Sequence, residues 1–138
     1  MDKTIAYRNR RLLSRLLFGF GAISLLSSIV AAFILDALVI DVGALIVIWL
    51  STSVARGSPR AAKWSGIIMA CYFAGAALLL TVGIIAPERM NIAGRAIRPG
   101  QLPYALLSAA IAGSWALINL ALLWKHRAAF SPTAQTGT

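Results

Sequence analysis

LLFGFGAISLLSSIVAAFILDALVIDVGALIVIWLSTSVA, residues 16–55, contains no charged side chain except Asp36 and Asp41. As one α-helix, forty residues would run about 60 Å at about 1.5 Å per residue. The hydrocarbon core of a bilayer is only about 30 Å thick. The stretch therefore reads as two crossings joined at its midpoint, near Leu35–Asp36. The expected spans are 14–35 and 37–55.

Working outward, ARGSPRAAKW (55–64) holds Gly57 and Pro59, which stop helices. WSGIIMACYFAGAALLLTVGIIA (64–86) is a third span, closed by Pro87. YALLSAAIAGSWALINLALLW (104–124) is a fourth, with Pro103 just ahead of it, where a helix tolerates proline. The tail from 131 to 138 is small and polar and reads as disordered. The fold expected is an all-α integral membrane protein, a four-transmembrane-helix bundle forming one domain over residues 1–130. RNRRLLSR (8–15) resembles the basic start of a signal peptide. The apolar run after it is about 20 residues against the usual 7–15, so the first span is expected to be retained.

Composition agrees with that class. Of 138 residues, 59% are hydrophobic and 12% charged, where soluble domains have about 45–50% and about 25%. The net charge of +9 does not point to nucleic acid, because the basic residues flank apolar runs instead of forming a stripe. Lys and Arg mark the cytoplasmic side. The two ends and the 56–63 loop carry ten basic residues and one acid, Asp2. The opposite side carries Arg89, Arg95 and Arg98 against Asp36, Asp41 and Glu88. Both termini are therefore expected inside, in a bacterial inner membrane, with the basic face toward anionic headgroups.

Little here could be chemistry. One cysteine (Cys71) and one histidine (His126) exclude an intramolecular disulfide, a cysteine-based zinc site and a bis-histidine haem. No nucleophile, nucleotide-binding or metalloprotease motif occurs. No catalytic residue, cofactor or metal is expected.

The polar candidates are few. Asp36 suits the amino end of the second span, where a carboxylate meets free N–H groups and the positive dipole end. Asp41 lies five residues on, about 140° away around a helix at 3.6 residues per turn. The pair therefore cannot form a dyad on one helical face. If the turn is looser and the helix starts near Val42, Asp41 becomes a cap as well. Three acids and three arginines on the outside suggest a charge-balanced lid, with Asp41 paired to Arg89, Arg95 or Arg98. Apolar residues alternate with these arginines over 87–103, which predicts a short amphipathic segment at the membrane surface. Asn119 reads as an interhelical hydrogen-bonding residue. Trp49 and Trp115 fall deep in their spans, where each indole N–H needs a partner.

Helices in lipid associate through close packing of small residues. Ala105, Ala109 and Gly113 form one such ridge. Gly66, Ala70 and Ala74 form another, with Gly75 on the neighbouring line. These features predict a non-enzymatic accessory or scaffolding subunit that packs against itself or against membrane partners. The alternative is a small oligomeric transporter or channel, its path lined by Asp41, Asn119 and the outer arginines.

Overall fold

The computed structural model describes residues 2–34, 40–92 and 95–131. It is helical, with four principal helices: α1 (Lys3–Ile34), α2 (Val42–Ala55), α3 (Pro59–Ile85) and α4 (Leu102–Lys125). α1, α3 and α4 are long and apolar enough to cross a membrane. α2, at 14 residues, extends about 21 Å and is shorter than a full crossing. This architecture is compatible with a helical membrane bundle.

Local chemistry sets the helix limits. The Asp2 carboxylate accepts the Thr4 N–H at 3.1 Å, so α1 begins eleven residues before the expected span, inside the basic amino-terminal stretch. α2 begins at Val42, not at 37, because Asp41 caps it: its Oδ1 accepts the Ala44 N–H at 3.0 Å. The looser of the two turns weighed from sequence is the one adopted. Residues 35–39, Asp36 among them, lie outside the described residues.

The α2–α3 connection is a Schellman closure. The Gly57 N–H donates to the Val54 carbonyl at 3.0 Å and the Ser58 N–H to the Ser53 carbonyl at 3.1 Å. Gly57 takes φ +86°, the left-handed conformation that this closure requires. Ser58 then caps α3, accepting the Ala61 N–H at 3.3 Å, with Pro59 in the first turn, so α3 starts five residues before the expected span.

The helices pack in a ring, α1 on α2, α2 on α3, α3 on α4 and α4 on α1, with the first and third of these seams the most extensive. Gly21 makes the α1–α2 approach possible: a Cβ there would sit 2.9 Å from the Ala44 carbonyl oxygen. Ser14 adds a hydrogen bond across that seam, donating to the Ser51 carbonyl at 2.8 Å. A single-turn 3₁₀ helix, Arg127–Phe130, folds back after α4 and seats Ala129 and Phe130 against α1. The core runs from that plug through Leu13, Leu17 and Phe20 of α1, Val47 and Val54 of α2, and Met69 of α3.

The α3–α4 seam is asymmetric. α4 buries its small ridge, Ala105, Ala109, Gly113 and Ala116. α3 answers with Met69, Ala76 and Gly83. A Cβ on Gly113 would lie 3.0 Å from the Ala76 Cβ. The other predicted ridge faces away: Ala70 and Ala74 are exposed, and nothing lies within 4 Å of where a Cβ of Gly66 would be, while Gly75 on the neighbouring line borders the open space of a cavity. Only α4 presents an unbroken row of small residues to this seam; α3 mixes Ala76 and Gly83 with the larger, buried Met69.

The α3–α4 connection is not an amphipathic helix among its described residues. It has a 3₁₀ turn at Pro87–Arg89, a two-residue antiparallel ladder pairing Asn91 with Ala96 and Ile92 with Arg95, and a second 3₁₀ turn at Pro99–Gln101. Met90 anchors it, buried at 2% exposure. Its sulfur is 3.1 Å from where a Cβ of Gly83 would be. Proline at 87 and at 99 and glycine at 94 and at 100 are poor helix formers, so a hairpin with one apolar anchor replaces a helical face.

Candidate functional site

The cap of α2 places Asp41 at the end of the bundle far from the chain termini. From there it reaches the side of α3. The Tyr72 hydroxyl donates to Asp41 Oδ1, the same oxygen that accepts the Ala44 N–H. Both donors converge on one oxygen. Among the described residues Oδ2 has no hydrogen-bond partner, and neither Arg89 nor Arg98 is a partner of this carboxylate. The partner shown for the Asp41 side chain on another helix is Tyr72, and neither Arg89 nor Arg98 pairs with it. The reason is geometric: Asp41 turns inward toward α3, whereas Arg89 and Arg98 are exposed on the connection. The Arg98 backbone N–H is taken up within its own turn, donating to Gln101 Oε1 at 3.2 Å. The side chain of Arg95 lies outside the described residues.

Asp41 and Tyr72 sit on the wall of a cavity of about 670 Å³ between α1 and the α3–α4 pair. Three aromatic side chains form its inner end. Phe20 meets Tyr72 edge-on at 4.9 Å between centroids and Trp115 edge-on at 6.3 Å. Ser24, Ser27 and Ser28 of α1 and Ser108 of α4 contribute hydroxyl-bearing positions to an otherwise mainly apolar wall. Two of these serines are tied to backbone chemistry: Ser28 Oγ donates to its own helix at the Ser24 carbonyl (3.0 Å), and the Tyr104 hydroxyl donates to the Ser27 carbonyl (3.4 Å). The volume falls in the range of about 300–1,000 Å³ typical of small-molecule pockets.

Behind the aromatic end lies a second polar group. Asn119 is fully buried and donates through Nδ2 to the Met69 sulfur of α3 at 3.6 Å. Its acceptor is therefore a soft thioether on the neighbouring helix. Asn119 Oδ1, Ser65 Oγ and Trp115 Nε1 are buried with no hydrogen-bond partner among the described residues. Trp49, by contrast, is 68% exposed on the outside of α2. Asn119 does not line the cavity, and neither do Arg89 or Arg98. Of the residues expected to line a transport path, Asp41 lies on this cavity and Asn119, Arg89 and Arg98 do not.

The site offers one carboxylate, two phenols, serine hydroxyls and aromatic rings. Among the described residues no group of three His, Cys, Asp or Glu side chains is placed to hold a metal ion. Tyr72 was legible as an isolated deep polar group in α3, but its alignment with Asp41 across 31 residues was not. Comparison with protein-family models, with curated proteins and with solved structures finds no match.

Proposed function

We propose that this protein is a non-enzymatic accessory or scaffolding subunit of a bacterial inner membrane, working through helix packing with itself or with other membrane proteins. In this reading all four helices form one membrane-embedded unit, short α2 included, with both termini cytoplasmic. The ten basic residues on that side then meet anionic lipid headgroups, each contributing about 1 kcal/mol near the surface.

The observation that carries the reading is the unused small-residue face of α3. Gly66 has open space where its side chain would be, and Ala70 and Ala74 follow it at four-residue spacing on the outside of the helix. α3 already meets α4 through its Met69–Ala76–Gly83 face. The Gly66 face is left for another helix, and lipid-exposed small residues let a second backbone approach closely.

Cross-linking and gentle solubilisation test this. The wild-type chain should appear as a complex, with itself or with a copurifying membrane protein, and Gly66→Leu with Ala70→Leu should release a monomer of unchanged helicity. A wild-type chain that is monomeric and without partners in native membranes overturns the proposal.

A further inference from the structure

The cavity beside Asp41 is independent of the α3 outer face and calls for a different occupant. Its wall is mainly apolar, yet a carboxylate sits on it with one oxygen engaged twice and the other accepting nothing among the described residues. An ionised group beside an apolar wall gains most from an opposite charge at short range, where screening by water is weakest. No basic side chain of the described residues lines the cavity. The aromatic rings of Phe20, Tyr72 and Trp115 at the inner end add a second preference of the same sign, because a cation within about 6 Å of a ring face is attracted to it. An anion would meet repulsion from Asp41. A small hydrated ion would leave the apolar wall unfilled.

We propose that this cavity binds a bulky lipophilic monocation, its charge drawn to Asp41 Oδ2 and its apolar body held among Phe20, Tyr72 and Trp115. The Tyr72 hydroxyl and the Ala44 N–H hold the carboxylate in place through Oδ1, and Oδ2 accepts no hydrogen bond among the described residues. The hydroxyls of α1 and α4 line the remainder without imposing a fixed donor pattern, which suits a class of apolar cations over a single compound.

The test uses two probes of matched shape and opposite charge. The full chain is placed in phosphatidylcholine nanodiscs, and binding of tetraphenylphosphonium and of tetraphenylborate is measured by equilibrium dialysis against empty discs. Saturable binding of the phosphonium and none of the borate is expected. Asp41→Asn keeps an oxygen for Ala44 and Tyr72 and removes the charge. It should weaken phosphonium binding about tenfold or more, the scale of losing one close charge pair in a desolvated site. Gly75→Leu should also weaken it, because Gly75 lines the cavity with open space at its Cβ and leaves Asp41 untouched. Equal binding of both probes, no saturable phosphonium binding by the folded wild-type chain, or unchanged phosphonium affinity in a folded Asp41→Asn variant overturns the proposal.

Discussion

The Tyr72 hydroxyl and the amide of Ala44 share a single acceptor, Oδ1 of Asp41, so one carboxylate oxygen both starts α2 and fastens it to α3. The cap and the interhelical tie are separable by substitution. Asp41→Asn keeps an oxygen for both donors and should be the mildest change. Tyr72→Phe removes the tie and leaves the cap, costing about 1–3 kcal/mol for a hydrogen bond to a charged group. Asp41→Ala removes both and adds the loss of a helix cap, about 0.5–2 kcal/mol. Thermal unfolding in detergent should rank them Asn, then Tyr72→Phe, then Ala. Equal losses for Asn and Ala at position 41 would falsify the shared-acceptor reading.

Arg89 and Arg98 have no part in that arrangement. Arg89→Gln and Arg98→Gln should each change unfolding free energy by no more than about 0.5 kcal/mol, as for exposed positions in general. A double-mutant cycle of either with Asp41→Asn should show no coupling. Coupling above that size would restore the charge-paired lid.

Glycines with the same composition and spacing have opposite structural roles. A Cβ at Gly113 meets Ala76 at 3.0 Å, whereas one at Gly66 meets nothing within 4 Å. Gly113→Val should therefore force α3 and α4 apart, with an overpacking cost of about 1–3 kcal/mol. Gly66→Val should leave the stability of the isolated chain nearly unchanged. The two variants carry the same change in helix propensity, so the difference between their melting temperatures reports the seam alone.

Gly57 closes α2 at φ +86°, and a side chain there would run into the Arg10 guanidinium from α1. Gly57→Ala should cost about 1–2 kcal/mol for the left-handed backbone. Combining it with Arg10→Ala should recover only the steric part. Melting curves of the two single variants and the double variant separate the contributions.

Ser65 is fully buried and its hydroxyl has no partner among the described residues. Removing a buried polar group that lacks a partner leaves no acceptor or donor stranded, so Ser65→Ala should match or exceed wild-type stability. A marked loss of stability would mean that the hydroxyl is engaged through a bridging water.

The sequence alone was enough to divide residues 16–55 between two helices, because forty nearly uncharged residues are about twice the length of one bilayer crossing. It left open a start near Val42 and did not foresee that the second helix would be shorter than a crossing. It was also enough to place the turn at Gly57–Pro59 and to make Ala105–Ala109–Gly113 a packing ridge, since these depend on local backbone chemistry and side-chain size. Tertiary structure decided the rest. Apolar periodicity is weak when lipid and protein both favour apolar side chains, so nothing local distinguishes the face of α3 that carries Gly66 from the face that carries Met69. The contact between Asp41 and Tyr72 depends on how the capped start of α2 packs against α3. Packing of α2 against α3 sets a carboxylate beside Tyr72 at the wall of a cavity, a relationship no spacing along the chain encodes.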